Sequence, residues 1–407
     1  MKVDAEAAGM DPARLARIDE HLRARYVEPG KIAGCQVAVM RRGSLAHFSN
    51  IGLADRERNV LVDDDTIWRI YSMTKPITGV ALMSLYERGN FQLADPVTRF
   101  IPQWSGMKVA ERKEDGSTQL VDPHRPINVR DLLMHMSGLG YGRDNTDLNI
   151  ETEDGKVSPP SSRFDSLADM VDRQAKWALR FQPGTRWLYS FGTDVCARLV
   201  EIISGKNFDQ YLEEEIFGPL GMRDTRFHVP DSAADRFAAM YGRNSRKELV
   251  LVDDPSTSSY RIQPKFMSGG GGLVSTIGDY LRFCQMLLNG GELDGRRVLG
   301  RKTVELMTVN HLPGGRSMTE FALSGGYGEV GFDGMGFGLT MAVSQGPAAT
   351  GVIGSAGEFM WGGAASTIFW VDPAEELIVV FMTQLLPSGT FNFRGQLKSL
   401  VYPAIVE

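Results

Sequence analysis

Apolar and polar residues alternate near both ends of the chain, and apolar residues recur with a helical period between them. Residues 34–55, GCQVAVMRRGSLAHFSNIGLAD, contain two strand-like runs around Arg42 and Gly43, which predicts a β-hairpin. The C-terminal segments GFGLTMAVSQG, GEFMWGGAASTIFWVDP and ELIVVFMTQ have the same character and predict consecutive strands. We therefore expect the two chain ends to share one antiparallel sheet, flanked by helices and interrupted by a mostly helical insertion.

A first helix is predicted by MDPARLARIDEHLRARY, in which Asp11 is placed to cap the helix and Pro12 to occupy its first position. Helical spacing recurs in VRDLLMHMSGL, TDVCARLVEIISG and TIGDYLRFCQMLLNGG, and a last helix is predicted in FRGQLKSLVYPAI. Two polar stretches, residues 108–126 and 142–165, are predicted to be long surface loops of the kind that often border functional sites.

This pattern predicts an α/β (α+β) fold in a single unit spanning residues 1–407. Within it, residues 1–90 and 260–407 form an α/β region, and residues 91–259 form a mainly helical region with long loops. A hydrophobic content of 43% in 407 residues is ample for a large core.

Charge and cysteine content narrow the class of partner. The net charge is -6, with 44 basic and 50 acidic residues interspersed, so we expect a small-molecule or peptide partner and neither nucleic-acid nor membrane binding. The three cysteines lack a neighbouring metal or redox motif and are predicted to be buried packing thiols: Cys35, Cys196 and Cys284. No metal or other cofactor is implied. Without a signal-like N-terminus or an apolar run of ~20 residues, the predicted compartment is the cytoplasm, provided that no leader precedes the chain.

The spacing S-x-x-K occurs twice, at Ser72/Lys75 and at Ser105/Lys108, and about one such match is expected by chance. Ser105 is followed by a glycine and a polar stretch, where nothing fixes the two side chains together. Ser72 instead opens the apolar helical run YSMTKPITGVALMSLY, whose Pro76 is tolerable because it falls in the first turn.

Helical geometry gives the first pair a chemical meaning. Residues three apart share one face of a helix, so the Lys75 amine can reach the Ser72 hydroxyl. A serine hydroxyl needs a neighbouring base to act as a nucleophile, and a lysine can assist when its surroundings lower its pKa. The alternative is that Ser72 caps the helix and Lys75 is a solvated charge. No serine lies in G-x-S-x-G and the six histidines show no paired signature, so a histidine base is not expected.

Five segments occur in the order found in the serine β-lactamase and penicillin-binding-protein superfamily: YSMTKPITGVALMSLYERGNFQLADPV, INVRDLLMHMSGLGYG, FQPGTRWLYSFGTDVCARLVEIISG, GGGGLVSTIGDYLRFCQMLLNGG and FMWGGAASTIFWVDP. The chain most resembles the family VIII carboxylesterases, which are similar to class C β-lactamases, over nearly its whole length. The resemblance implies a β-lactamase/DD-peptidase-like fold and acyl-enzyme chemistry with Ser72 as the nucleophile.

The family's roles carry over where the residues match. Ser72 and Lys75 match S-x-x-K, and Tyr189 in WLYSFGT matches the tyrosine of Y-x-N, which is the general base in this superfamily. A phenol with a pKa near 10 is a useful base at neutral pH only if a cation lowers that pKa, and Lys75 would supply the charge. WGGA, from Trp361 to Ala364, falls where β-lactamases carry K-T-G. The resemblance therefore implies an oxyanion hole formed by the backbone N–H groups of Ser72 and Ala364.

Two aromatic residues depart from the β-lactamase pattern. Phe191 stands where Y-x-N has Asn, and Trp361 stands where K-T-G has Lys. These exchanges remove a substrate-binding amide and the cation that attracts a carboxylate, so the expected pocket is more apolar. Gly362 and Gly363 would let a substrate approach the strand. Tyr141 could also line the cleft.

The resulting prediction is a serine carboxylesterase that cleaves small-molecule esters, with short acyl chains as the expected substrates and weak β-lactamase activity as a possible accompaniment. The alternatives are a β-lactamase or D-amino-peptidase-type amide hydrolase, an acyltransferase using the same nucleophile, and a binding protein with a vestigial site. His135 is predicted to be structural. The run SGGGG at residues 268–272 lacks the Lys-Ser/Thr of a phosphate loop and is predicted to be a close-packing turn.

Overall fold

The computed structural model describes residues 2–141, 164–323 and 328–406. The described strands are β1 Gly34–Arg41, β2 Ser44–Asp55, β3 Val60–Leu61, β4 Trp68–Arg69, β5 Val109–Arg112, β6 Thr118–Val121, β7 Met240–Arg243, β8 Leu249–Asp253, β9 Val274–Ser275, β10 Glu292–Leu293, β11 Arg296–Arg297, β12 Met335–Phe337, β13 Ala342–Ser344, β14 Phe359–Gly362, β15 Ile368–Asp372, β16 Leu377–Thr383 and β17 Leu385–Leu386.

The described helices are α1 Pro12–Leu22, α2 Thr74–Glu87, α3 Val129–Leu133, α4 Leu167–Gln174, α5 Gly192–Ser204, α6 Phe208–Leu212, α7 Gly218–Leu220, α8 Ile277–Leu288, α9 Arg301–Met307, α10 Met318–Phe321, α11 Pro347–Thr350 and α12 Phe393–Val401. Among the described residues between β4 and β12, most of the regular structure is helical, as the period of the apolar residues predicts, and the strands there are short.

Both ends of the chain build one eight-stranded antiparallel sheet in the order β12-β13-β14-β15-β16-β1-β2-β3. Strands β1 and β16 join the two halves, with Val37 opposite Phe381 and Val39 opposite Val379. The predicted shared sheet is therefore confirmed. Its centre is almost wholly buried because α1 and α12 pack together on one face while α8 packs against β1 and β16 on the other.

Local signals in the sequence account for the first elements. Asp11 caps α1 through hydrogen bonds from the backbone N–H groups of Ala13 and Arg14, and Pro12 occupies the first helical position. The β1–β2 hairpin turns at Arg42 and Gly43, which both have positive φ (52° and 74°). Two consecutive residues in this conformation match the twist of a two-residue hairpin turn.

One predicted loop is wrong. Residues 108–126 contain the β5–β6 hairpin, which is stabilised by packing of Val109 and Ala110 in the interior. Its four-residue strands are too short and too polar to show a clear alternation. Most of the second predicted loop, residues 142–163, lies outside the described residues. The three cysteines are fully buried and unpaired, which confirms their prediction as packing thiols.

Candidate active site

Ser72 lies in a single 3₁₀ turn, Tyr71–Met73, that leads directly into α2. Met73 occupies the cap position of α2 without a capping side chain, so the alternative in which Ser72 caps the helix is wrong. Tyr71 has φ 42°, a conformation that costs energy for a bulky residue and that clusters at functional sites. Ser72 is almost completely buried, since only 8% of its surface is exposed to solvent.

Lys75 is fully buried one helical turn along from Ser72. Its Nζ donates a hydrogen bond to the Gly270 carbonyl at 2.6 Å and lies 3.3 Å from Ser72 Oγ. The alternative of a solvated lysine is therefore wrong. Burial lowers the pKa of Lys75 to about 8, while the nearby Asp194 and Glu329 carboxylates act in the opposite direction. A usable fraction of this amine is consequently neutral near physiological pH.

Tyr189 completes the group around Ser72. Its hydroxyl oxygen accepts a hydrogen bond from Trp361 Nε1 at 3.2 Å and is also hydrogen bonded to Ser72. Lys75 Nζ lies 4.4 Å from the centroid of the Tyr189 ring, over its face. The three side chains predicted to carry the chemistry are thus brought together by two separate parts of the chain, the start of α2 and the segment before α5.

The expected lowering of the Tyr189 pKa is wrong. Burial raises this pKa well above its usual value, and electrostatic interactions with Tyr141 and Glu329 raise it further. The hydrogen bonds from Ser72 and Trp361 oppose it less strongly. Tyr189 is therefore a protonated phenol at neutral pH, and Lys75 is the group that can be a neutral base.

The end of β14 approaches the turn that precedes the nucleophile. A Cβ on Gly363 would lie 2.4 Å from the Ile70 carbonyl oxygen and 2.3 Å from Thr367 Oγ1, so this position has no room for a side chain. Tight packing, rather than access for substrate, is thus the immediate reason for the glycine. Ala364 is half-buried, and its N–H donates to no acceptor among the described residues. Its oxyanion-hole role stays a prediction.

A cavity of about 560 Å³ adjoins this group of residues. Tyr141 and Phe191 line it, with their ring centroids 4.7 Å apart, as do further aromatic residues: Tyr71, Phe227, Tyr260 and Phe266. Trp361 is fully buried beside Tyr189, and neither it nor Gly362 and Gly363 belongs to this lining. Among the described residues that line it there is no lysine or arginine, so this part of the cavity suits an apolar group better than an anion.

His135 packs behind the site. Its Nδ1 lies 3.1 Å from Ser190 Oγ, and its ring contacts the edge or face of Trp187, Tyr189 and Phe337. Burial keeps its pKa well below the usual value, so the ring is neutral. Its place supports the predicted structural role.

Two acidic residues close to the site were not predicted from the sequence. Asp194 is buried in the first turn of α5, and Glu329 is buried near the end of β14; both affect the pKa of Lys75. The run at residues 268–272 forms the predicted close-packing turn, but it also supplies the carbonyl that binds Lys75. The signal in the sequence was an aspartate five residues after Tyr189, in the first turn of α5 and followed by the apolar residues Val195, Cys196 and Ala197.

The described residues show neither a metal-binding cluster nor a membrane-spanning helix. In the parts of the chain that the structure describes, no group of His, Cys, Asp and Glu side chains could hold a metal ion. None of the helices in residues 2–141, 164–323 and 328–406 combines the length and apolar character needed to cross a bilayer.

Comparison with known proteins establishes the family. Residues 18–401 match the family described as Beta-lactamase, and the chain therefore belongs to the beta-lactamase family. It is 34% identical to Protein Rv1367c of Mycobacterium tuberculosis over 370 residues, which cover 88% of each chain. It is 29% identical to Esterase EstB of Burkholderia gladioli over 409 residues, which cover 95% of each chain.

Solved structures agree with this assignment. The chain is similar to EstCE1, described as a hydrolase with promiscuous acyltransferase activity, with a TM-score of 0.75 and 25% identity. The match covers 97% of this chain and 99% of that chain. The resemblance to the family VIII esterase branch and the β-lactamase/DD-peptidase-like fold are confirmed. The chain is a serine hydrolase of the beta-lactamase fold.

Proposed function

We propose that the protein is a carboxylesterase that cleaves uncharged small-molecule esters through an acyl-enzyme on Ser72. The observation that carries this proposal is the contact between Ser72 Oγ and the fully buried amine of Lys75 at 3.3 Å. A base of lowered pKa within reach of a serine hydroxyl is what nucleophilic catalysis by serine requires.

In the proposed reaction, the neutral Lys75 amine takes the proton of Ser72 as Oγ attacks the ester carbonyl. The N–H groups of Ser72 and Ala364 stabilise the oxyanion of the tetrahedral intermediate. The intermediate collapses as the Lys75 ammonium donates this proton to the departing alcohol. The Tyr189 hydroxyl, which is hydrogen bonded to Ser72 Oγ, takes part in this proton transfer. In the second half of the reaction, a water molecule gives up a proton to the neutral Lys75 amine as its oxygen adds to the acyl carbon. The bond from that carbon to Ser72 Oγ then breaks, the Lys75 ammonium returns the proton to Oγ, and the acid leaves.

The choice of ester over β-lactam rests on charge. Trp361 occupies the place of the cation that would attract a substrate carboxylate, and it lies against Tyr189 rather than in open space. The described residues that line the adjoining cavity are largely aromatic and include no cationic side chain. Such surroundings favour an uncharged ester, with short acyl chains as the first substrates to test.

A substrate panel tests the proposal. p-Nitrophenyl esters of increasing acyl length and the cephalosporin nitrocefin would be assayed with the wild-type protein and with Ser72→Ala. We expect turnover of p-nitrophenyl butyrate to exceed that of nitrocefin and to disappear in the variant. Nitrocefin turnover far above that of the esters would instead assign amide hydrolysis to the same nucleophile. Equal activity of the two proteins would overturn the mechanism.

Acyl transfer is a second candidate, favoured by the likeness to EstCE1, whose description includes promiscuous acyltransferase activity. The same acyl-enzyme would then react with an alcohol instead of water. Product analysis in water containing a competing alcohol decides between them. Ester exchange that outruns hydrolysis would make the protein an acyltransferase.

A further inference from the structure

We propose that Asp194 is a positioning residue that holds Lys75 against Ser72 and controls its protonation, acting through the turn at residues 268–270. This role rests on the proposed function of Lys75 as the base. Asp194 touches neither Ser72 nor the reacting atoms, and it has no counterpart among the residues that the S-x-x-K, Y-x-N and K-T-G motifs supply.

The Asp194 carboxylate organises the turn. It is 1% exposed at the third position of α5, and its Oδ1 accepts hydrogen bonds from Ser268 Oγ at 2.5 Å and from the Gly270 N–H at 3.0 Å. A Cβ on Gly270 would lie 2.4 Å from Asp194 Oδ2, so the backbone lies directly on the carboxylate. Charge-assisted hydrogen bonds of this kind are among the stronger ones in proteins.

The same turn is hydrogen bonded to the lysine, so the position of the turn fixes the position of the Lys75 amine. The N–H of Gly270 binds Asp194, and the carbonyl of Gly270 accepts the hydrogen bond from Lys75 Nζ at 2.6 Å. On the other side of the turn, Thr78 Oγ1 of α2 donates to the Gly269 carbonyl at 2.8 Å. Residues 268–270 are therefore clamped between α2 and α5, and one glycine connects the carboxylate to the catalytic amine through its two backbone groups.

Electrostatics point the same way. The groups that face Lys75 are the Asp194 and Glu329 carboxylates, the Tyr189 and Tyr141 rings and the neutral His135. Burial lowers the pKa of Lys75, and Asp194 is the largest influence against that lowering. In return, Lys75 is the largest influence against the rise that burial causes in the pKa of Asp194. Each charge thus moderates the other across the turn.

A purely structural role is the competing explanation, since an acidic residue in the first turn stabilises any helix. Asp279 provides a matched control. It too is buried in the first turn of a helix, α8, where it accepts hydrogen bonds from Asp224 N–H at 2.8 Å and Thr225 Oγ1 at 2.9 Å. Its neighbours do not include Lys75. Loss of its charge should lower stability and leave the lysine unaffected.

The experiment compares Asp194→Asn with Asp279→Asn. For each, kcat and KM for an ester are measured against pH and corrected for active sites titrated with a fluorophosphonate. We expect Asp194→Asn to move the inflection in kcat/KM down by about one pH unit, because an opposite charge has been removed, and to lower kcat more than it changes KM. Asp279→Asn should leave the inflection in place. An unchanged inflection in Asp194→Asn would overturn the proposal.

A second readout does not depend on turnover. The titration of Lys75 is followed by NMR of carbon-13-labelled lysine in the intact protein, with its signal assigned from Lys75→Met. The Lys75 titration should move to lower pH in Asp194→Asn even if no ester is hydrolysed, a result that would remove the esterase proposal and keep this one. An identical titration in both proteins would overturn the positioning role. If Asp194→Asn does not fold, Asp194→Ser provides a smaller neutral replacement for the same measurement.

Discussion

The chain contains S-x-x-K twice, and the two copies have opposite surroundings. Ser72 and Lys75 lie at the start of α2, where they are buried, and the lysine contacts both the serine and the turn at residues 268–270. Ser105 is exposed in a short 3₁₀ turn, and Lys108, 47% exposed, binds Asp122 at the surface. An identical spacing therefore gives a buried serine–lysine contact in one place, and in the other an exposed serine and a lysine paired with Asp122.

The difference lies in what desolvation does to the amine. Lys75 loses its water, and burial favours the neutral form that can act as a base. Lys108 keeps its water and has an exposed carboxylate as partner, an arrangement that contributes little to stability. Spacing alone brings a serine and a lysine to one side of a turn, but only at Ser72 and Lys75 is the amine also buried against a backbone carbonyl, with its pKa lowered by that burial.

The largest expected effect separates the two serines. Ser72→Ala removes the nucleophile, so kcat/KM for p-nitrophenyl butyrate should fall by at least about 10⁴-fold. Ser105→Ala removes an exposed hydroxyl and should retain the wild-type rate. Both are measured in the same steady-state assay, with fluorophosphonate labelling as a check on the modified residue. Activity in Ser72→Ala, or its loss in Ser105→Ala, would remove the distinction.

The two lysines should differ almost as much. Lys75→Met keeps an unbranched side chain in the buried site but cannot accept a proton, so kcat should fall by about 10³-fold while the protein stays folded. Lys108→Met removes only a surface ion pair and serves as the control. Circular dichroism and thermal unfolding of both variants accompany the rate measurements. A Lys75→Met variant that retains full activity would exclude Lys75 as the base.

The sequence was sufficient where the determinants are local or recur within the family. The β1–β2 hairpin follows from Arg42 and Gly43, and the meeting of Ser72 and Lys75 follows from helical spacing. Tyr189 was found only by resemblance, since a tyrosine in an apolar segment is ordinarily a packing residue. The structure then brings it to Ser72 across more than a hundred positions of sequence.

The missed features depend on contacts between distant segments. Asp194 reaches Gly270 across 76 positions, and Gly270 reaches Lys75 across 195. No local pattern encodes such a chain of contacts. The predicted direction of the shift in the Tyr189 pKa was wrong for the same reason. This shift depends on how completely the phenol is desolvated, which is a property of the assembled core.

The surroundings of the two serines should also differ in how well they tolerate a larger side chain at a neighbouring glycine. Gly363→Ala would place a methyl group against the Ile70 carbonyl, two residues before the nucleophile, and should cost about 1–3 kcal/mol in the free energy of unfolding. Gly106→Ala, beside Ser105, meets no atom within 4 Å and should change it by less than about 0.5 kcal/mol. Urea unfolding measures both. Equal stability of the two variants would contradict the tight packing at the end of β14.

The smallest effect is the most specific, because it identifies the base by its protonation state. With a pKa of about 8 for Lys75, kcat/KM should rise about tenfold per pH unit below that value and level off above it, since only the neutral amine accepts the Ser72 proton. A profile measured with an uncharged ester between pH 6 and pH 9, a range of about three units around this pKa, contains the whole transition. Lys108→Met should reproduce the wild-type profile, because the exposed lysine takes no part in it. A flat profile, or one that falls as pH rises through 8, would show that the neutral amine of Lys75 is not the base.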